Sequence, residues 1–207
     1  ACTHPMFFAI RRAFLRTGRA LTGGIMATAD QERWFLADVS SLHGAFLIEE
    51  RLPKAWVALL RHVGQMPGEK GLSLYLVGGV VRDLLLGREV LDLDVVVEGD
   101  AIDLARRLAR EFGGRAVTHP RFGTAKIQVG DWAVDLATAR TETYAYPGAL
   151  PQVAPGTIGQ DLVRRDFTIN SLAFHLDPAR FGQVLDPHGG LNDLKAGLIR
   201  VLHPNSF

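Results

Sequence analysis

Residues 76–97 read LVGGVVRDLLLGREVLDLDVVV, and this stretch decides how the chain folds. A short apolar strand runs into Gly78-Gly79, a helix follows with Arg82 and Asp83 in its first turns, and a second apolar strand over 91–97 carries Asp92 and Asp94. Residues two apart in a strand point to the same face, so the spacing predicts two carboxylates side by side on a hydrophobic strand. Two such groups repel and resist burial. A divalent cation keeps both ionised, and Mg²⁺ held by one or two carboxylates plus substrate phosphates is a recurrent arrangement. The Gly-Gly turn offers backbone N–H groups and a positive helix end to a phosphate. Alone, Gly-Gly is only a turn and Asp-x-Asp only a solvated edge. The two together read as a phosphate cradle beside a metal-binding pair.

Composition sets the frame. The 207 residues suit one domain, or one domain with an extension, and 47% apolar residues suffice for a core. A net charge of +1 and a pI near 8.2 do not announce a nucleic-acid binder, yet they leave room for a local basic groove. The single Cys2 excludes an internal disulfide and a cysteine-based metal cluster, and suits a reducing, cytoplasmic compartment. No apolar run approaches the length of a transmembrane helix, so no membrane partner is expected. The first 29 residues carry Arg11, Arg12, Arg16 and Arg19 without an acidic residue. They read as a basic amphipathic helix, an organellar targeting segment or the solvated start of a helical extension. Ala1 in place of Met reads as a processed or excised piece.

Outward from the opening stretch, 30–63 is helical in pattern, with Pro53 starting the second of two helices. The turn MPGEKG at 66–71 is a natural boundary. The domains expected are a helical extension or linker over 1–71 and a catalytic unit over 72–207. Within that unit the pattern predicts strand 73–77, helix 79–86, strand 91–97, helix 101–112 capped by Asp100 and ended by Gly113-Gly114, and strands 124–129 and 132–138 joined at Gly130-Asp131. Residues 141–160 read as a long loop and 161–175 as a helix. Mixed strands and helices with a hairpin argue α+β.

Further polar residues fall in two places. Asp135 lies on the second hairpin strand, and would add a third carboxylate if that strand lay beside the one carrying Asp92 and Asp94. In LVRRDFTINS (162–171), Asp166 and Asn170 are four apart and would share a helix face. A carboxylate and an amide can read sugar hydroxyls, and an Arg can fork onto phosphate. The turn around Asp186, Gly189, Gly190 and Asp193 reads as structural.

These segments, GGVVRDLLLG (78–87), DLD (92–94), VDLATARTETY (134–144), RRDFTINS (164–171) and DPHGGLNDLKAGLIRVLHP (186–204), together resemble the head domain of bacterial class II tRNA nucleotidyltransferases. These are the CCA-, CC- and A-adding enzymes, with bacterial poly(A) polymerase as a close relative. The resemblance covers roughly 72–207 and implies a polymerase-β-like nucleotidyltransferase head, a mixed sheet with flanking helices. By resemblance, Gly78, Gly79 and Arg82 contact nucleotide phosphate, and Asp92 and Asp94 are the catalytic pair binding two Mg²⁺ ions. Asp135 is a third acidic residue, Arg165 binds the nucleotide, and Asp166 and Asn170 lie near the ribose. Ser171 stands where Ala is usual, a small-for-small change expected to matter little.

The implied reaction is Mg²⁺-dependent transfer of CMP and/or AMP from CTP or ATP to the 3′-hydroxyl of tRNA, releasing pyrophosphate. The family's base-selecting Glu/Asp-Asp-x-x-Arg motif follows this region, and the chain stops short of it, which reads as a fragment. Poly(A) polymerase activity on other RNA ends, transfer to a small molecule, and a non-catalytic nucleotide- or RNA-binding module are the competing readings. Oligomeric state is not read from the sequence.

Overall fold

The computed structural model describes residues 41–66, 72–143, 146 and 152–203, with the backbone alone at 41–43. The readings of residues 1–40 lie outside the described residues. Two helices come first, α1 (Ser41–Arg51) and α2 (Lys54–Gln65). Then follow β1 (Ser73–Val77), α3 (Gly79–Leu86), β2 (Asp94–Glu98), α4 (Ala101–Phe112), β3 (Arg115–His119), β4 (Thr124–Val129) and β5 (Trp132–Thr138). The chain continues through β6 (Arg140–Thr143), β7 (Gln152–Pro155), α5 (Ile158–Val163), β8 (Ala173–His175), β9 (Val184–Leu185) and α6 (Gly190–Lys195). The fold is α+β, as expected.

Seven strands form one mixed sheet in the order β3-β4-β5-β2-β1-β8-β9, and β6 and β7 form a separate ribbon. Only the β2–β5 pair is parallel; the other pairings of the large sheet are antiparallel. One sheet face is predominantly apolar. Leu74, Leu76, Val95, Val97, Ala125, Ile127, Val134 and Leu136 pack there in one core with helix residues such as Val81, Leu84, Leu104 and Leu108. The helices α1 and α2 belong to this core through Ile48, Leu52, Trp56, Leu59 and Leu60. Trp56 meets Trp132 of β5 edge to face, with ring centroids 5.4 Å apart, and His62 pairs with Glu111 of α4 at 2.9 Å. The boundary at residue 72 therefore marks where the motifs begin, while the packing continues back into α1.

Several local readings hold. Asp100 caps α4, accepting from the backbone N–H groups of Ile102 at 2.9 Å and Asp103 at 3.0 Å. Gly113 ends that helix in the left-handed region, at φ 67°. Gly130, at φ 59°, turns β4 into β5 with Val129 opposite Trp132.

Three readings are corrected. β2 begins at Asp94, so Asp92 lies in the segment leading into the strand. The alternation persists there all the same, with Leu93 buried between exposed Asp92 and half-buried Asp94. The region 161–175 is not one helix. Helix α5 stops at Val163, Phe167 is extended and bridges to Val201, Thr168–Asn170 form a 3₁₀ turn, and 173–175 is strand β8 beside β1. Asp166 and Asn170 therefore share no helix face. The loop read over 141–160 contains the β6–β7 ribbon and the start of α5, whose N-terminus is held by a Thr157–Gln160 capping box.

Candidate active site

The second face of the sheet differs in chemistry. Along β2, Asp94, Val96 and Glu98 point to the face opposite α3 and α4, and the parallel register sets Asp94 directly opposite Asp135 of β5. The condition placed on Asp135 in the sequence is thus met: its strand is the neighbour of β2. Asp135 in turn faces Lys126 of β4, whose Nζ lies 2.9 Å from its Oδ2. Burial, and then the charge of Asp135, raise the Asp94 carboxyl above its ordinary pKa, with Asp92 adding to the shift. Arg165 and Lys126 pull it back down.

The Gly-Gly turn lies at the end of β1. Gly78 has φ 71°, and a Cβ there would stand 2.8 Å from Nη1 of Arg165. The positive φ favours glycine here, and the guanidinium of Arg165 rests against the space a Cβ would take. From this turn α3 starts at Gly79 and presents its N-terminus. Arg82 is clamped: Nε and Nη2 donate to Asp83 at 2.9 and 3.0 Å, and Nη1 donates to Oδ1 of Asn170 at 2.8 Å. Arg165 Nη1 donates to the Asn170 backbone carbonyl at 3.4 Å. Asn170 therefore ties the two arginines together across the turn. Its own position depends on α6, because Thr168 donates to buried Asp193 at 2.7 Å, and Gly190 leaves room for the Thr168 carbonyl.

A cleft of about 470 Å³ opens on this face, lined by Asp94, Asp135, Lys126, His119, Arg164 and Arg165 among others. The structure brings together Gly78, Arg82, Arg165 and Asn170, and sets Asp94 beside Asp135 with Asp92 within electrostatic reach. Gly79 opens α3 next to Arg82. Asp166 is exposed, and its backbone carbonyl accepts from Leu202 at 2.8 Å. Lys126, His119 and Arg164 were not singled out from the sequence. The register of β3 and β4 brings His119 and Lys126 to the cleft, and the C-terminal end of α5 brings Arg164.

A cation fits this donor set chemically. Asp92 and Asp94 supply hard carboxylate oxygens, and the resistance of Asp94 to ionisation is what a bound cation would relieve. Among the described residues no group of three or more His, Cys, Asp or Glu side chains is arranged around a metal position. Lys126 engages the third carboxylate, Asp135.

A sheet with carboxylates on adjacent strands, facing an arginine-topped glycine turn, defines a polymerase-β-like nucleotidyltransferase head. The comparisons agree. A family model described as the Poly A polymerase head domain matches residues 74–200, and the chain belongs to that family. It is 54% identical over 136 residues to an A-adding tRNA nucleotidyltransferase of Aquifex aeolicus, covering 66% of this chain and 16% of the relative. It is 44% identical over 162 residues to an A-adding tRNA nucleotidyltransferase of Halalkalibacterium halodurans, covering 78% and 38%. Among solved structures, a CCA-adding enzyme in an apo form aligns with a TM-score of 0.71 at 44% identity, over 77% of this chain and 38% of that one. A tRNA nucleotidyltransferase complexed with a primer tRNA and an incoming ATP analog aligns at 0.61 with 50% identity, over 70% and 40%. The chain thus spans well under half the length of these relatives. Among the described residues no helix is long and apolar enough to cross a membrane.

Proposed function

We propose that the chain carries the catalytic head of a tRNA nucleotidyltransferase, transferring CMP and/or AMP from CTP or ATP to the 3′-hydroxyl of tRNA. The observation that carries this reading is the pairing of Asp94 with Asp135 across β2 and β5, in one cleft with Arg165 seated over Gly78. In the proposed reaction the RNA 3′-oxygen forms a bond to the α-phosphate as the α–β bridging bond breaks and pyrophosphate departs. Gly78, Gly79, Arg82 and Arg165 hold the phosphates, and Asp166 and Asn170 lie toward the ribose. Asp92 and Asp94 would hold Mg²⁺, which when bound supplies Lewis-acid stabilisation of the oxygens that gain charge. Positioning and charge neutralisation account for most of the acceleration. The A-adding relatives, a CC-adding relative of Deinococcus radiodurans at 45% identity, and the tRNA-bound neighbour support tRNA as the acceptor. The family model's description keeps poly(A) addition as the second reading.

The test is nucleotide incorporation on tRNA transcripts ending before CCA, at C and at CC. CTP and ATP are supplied separately with Mg²⁺, beside an Asp92→Ala/Asp94→Ala control. Incorporation that the control abolishes is expected, and the accepted ends name the activity. Extension of unrelated RNA ends by many A residues would favour poly(A) addition. Nucleotide binding without incorporation would favour a binding module.

A further inference from the structure

Asp161, on α5, is the most deeply buried carboxylate among the described residues, with 0% of its surface exposed. A charge so enclosed persists only when paired and hydrogen-bonded. Asp161 has two cationic partners, the next two arginines along the chain. Its Oδ1 accepts from Arg164 Nε at 3.1 Å and Nη2 at 2.6 Å. Its Oδ2 accepts from Arg165 Nη2 at 3.0 Å. Arg164 is also held from the other side, donating to Glu142 of the β6–β7 ribbon at 3.0 Å. One oxygen of Asp161 therefore meets Arg164, and the other is left for Arg165.

The consequence falls on Arg165. With Nη2 held by Asp161 and Nη1 near the Asn170 carbonyl, its guanidinium is fixed over the Gly78 turn. A free arginine side chain has many rotamers, and a guanidinium fixed before binding loses less entropy when it meets phosphate. We infer that Asp161 is a positioning residue that aims Arg165 at the phosphates of the incoming nucleotide. It acts through Arg165 and stays out of contact with the reacting atoms. The inference rests on the nucleotide-site reading of the cleft given above.

The test measures ATP and CTP affinity by calorimetry on the chain and its Asp161→Asn, Arg165→Gln and double variants. Asn keeps the shape of Asp161 and removes its charge. Asp161→Asn is expected to weaken nucleotide binding about tenfold or more, the scale of a lost charged hydrogen bond. In the extension assay KM for nucleotide should rise while kcat moves far less. In the Arg165→Gln background the same change should add nothing. Unchanged affinity in Asp161→Asn, or an equal further loss in the Arg165→Gln background, would overturn the inference.

If Asp161→Asn fails to fold, Asp161→Asn/Arg164→Met removes the stranded guanidinium and takes its place. The unaltered chain gives a second readout: ¹⁵N relaxation of the Arg165 side chain without nucleotide should show it ordered, and free rotation would overturn the inference. Failure of the unaltered chain to bind either nucleotide would instead sink the nucleotide-site reading itself. Normal binding by the chain that Asp161→Asn leaves intact would sink this inference alone.

Discussion

The two faces of the seven-stranded sheet are built from the same strands and differ in what they carry. On the helix side β2 presents Val95 and Val97, and β5 presents Val134 and Leu136, all nearly sealed from water. On the other side α5 seals Val96 of β2 through Ile158 and Leu162, while Asp94 and Glu98 on β2 and Asp135 and Ala137 on β5 are only partly covered. The first face stabilises the fold by removing apolar surface from water. The second carries a smaller apolar cluster of Tyr75, Val77, Val96 and Ala173 under α5, and beside it gathers the like charges of Asp94 and Asp135, which work against the fold. On β2 and β5 the main core residues and the carboxylates are therefore separated by a single step along each strand, and substitutions at the two sets should fail in different ways.

Asp94→Asn sharpens that contrast most. The Asp94 carboxyl has its folded pKa raised above 3.8, by burial first and Asp135 second, so the native state favours its protonated form. Its ionisation costs stability at neutral pH, and the cost disappears as pH falls below 3.8. The amide should therefore leave Tm at pH 7 unchanged or higher, while nucleotide transfer falls by about 10³-fold or more. Retained transfer would break the assignment of this face to catalysis. Leu108→Ala probes the opposite face. Leu108 is 1% exposed on α4, and its truncation should cost about 2–5 kcal/mol in urea unfolding. Activity per folded molecule should hold. A core variant that stayed stable but lost activity would show that the two faces are not independent.

The face of Asp94 also carries His175, buried at 4% exposed, with its ring 4.9 Å from that of Tyr75 and Nδ1 lacking a hydrogen-bond partner. Burial first, and Arg180 second, lower its pKa below 6.5, against weaker opposing pulls from Asp177 and Glu98. The unfolded chain therefore takes up this proton more readily than the native one. Stability should be intact above pH 6.5 and decline as pH falls below it. Tm measured from pH 8 to pH 5 should show this decline in the unaltered protein and a weaker one in His175→Phe. Equal slopes would mean that His175 is not the group being titrated. Asp94 works in the reverse sense, which makes this face sensitive to pH in both directions.

Much of this arrangement was legible in the sequence where the signal is local. The Gly78-Gly79 turn, the Asp100 cap, the Gly130-Asp131 hairpin and the Asp92/Asp94 pair each need only a few consecutive residues. What the sequence concealed depends on distant partners. Ala173–His175 lies in a stretch of helical pattern, yet pairing with β1 makes it a strand. β6 and β7 are four residues each and stabilise one another across a connection that reads as loop. Strand β3 follows Gly113-Gly114 and is defined by its register with β4. The site divides the same way. The carboxylates and the Gly turn stand out, and Arg165 entered through family resemblance. Asp161 and Lys126 acquire meaning only when α5 and β4 bring them to Arg165 and Asp135.

Ser171 is the finest test of how the two faces are joined. The family resemblance implies Ala beside Asn170, and by size alone Ser171 is a small change. In the fold it is fully buried, and its hydroxyl donates to the Leu162 carbonyl at 2.8 Å, linking the end of α5 to the 3₁₀ turn that carries Asn170. Ser171→Ala should lower stability by about 0.5–1.5 kcal/mol, the usual net value of one such bond. The loss should stay small because the Leu162 carbonyl also accepts from the Arg165 backbone N–H at 3.4 Å and so keeps a partner. If the bond only adds stability, nucleotide affinity will not change with it. If affinity falls alongside stability, the bond also holds Asn170 against Arg82, and the Ser171 hydroxyl contributes to the nucleotide site.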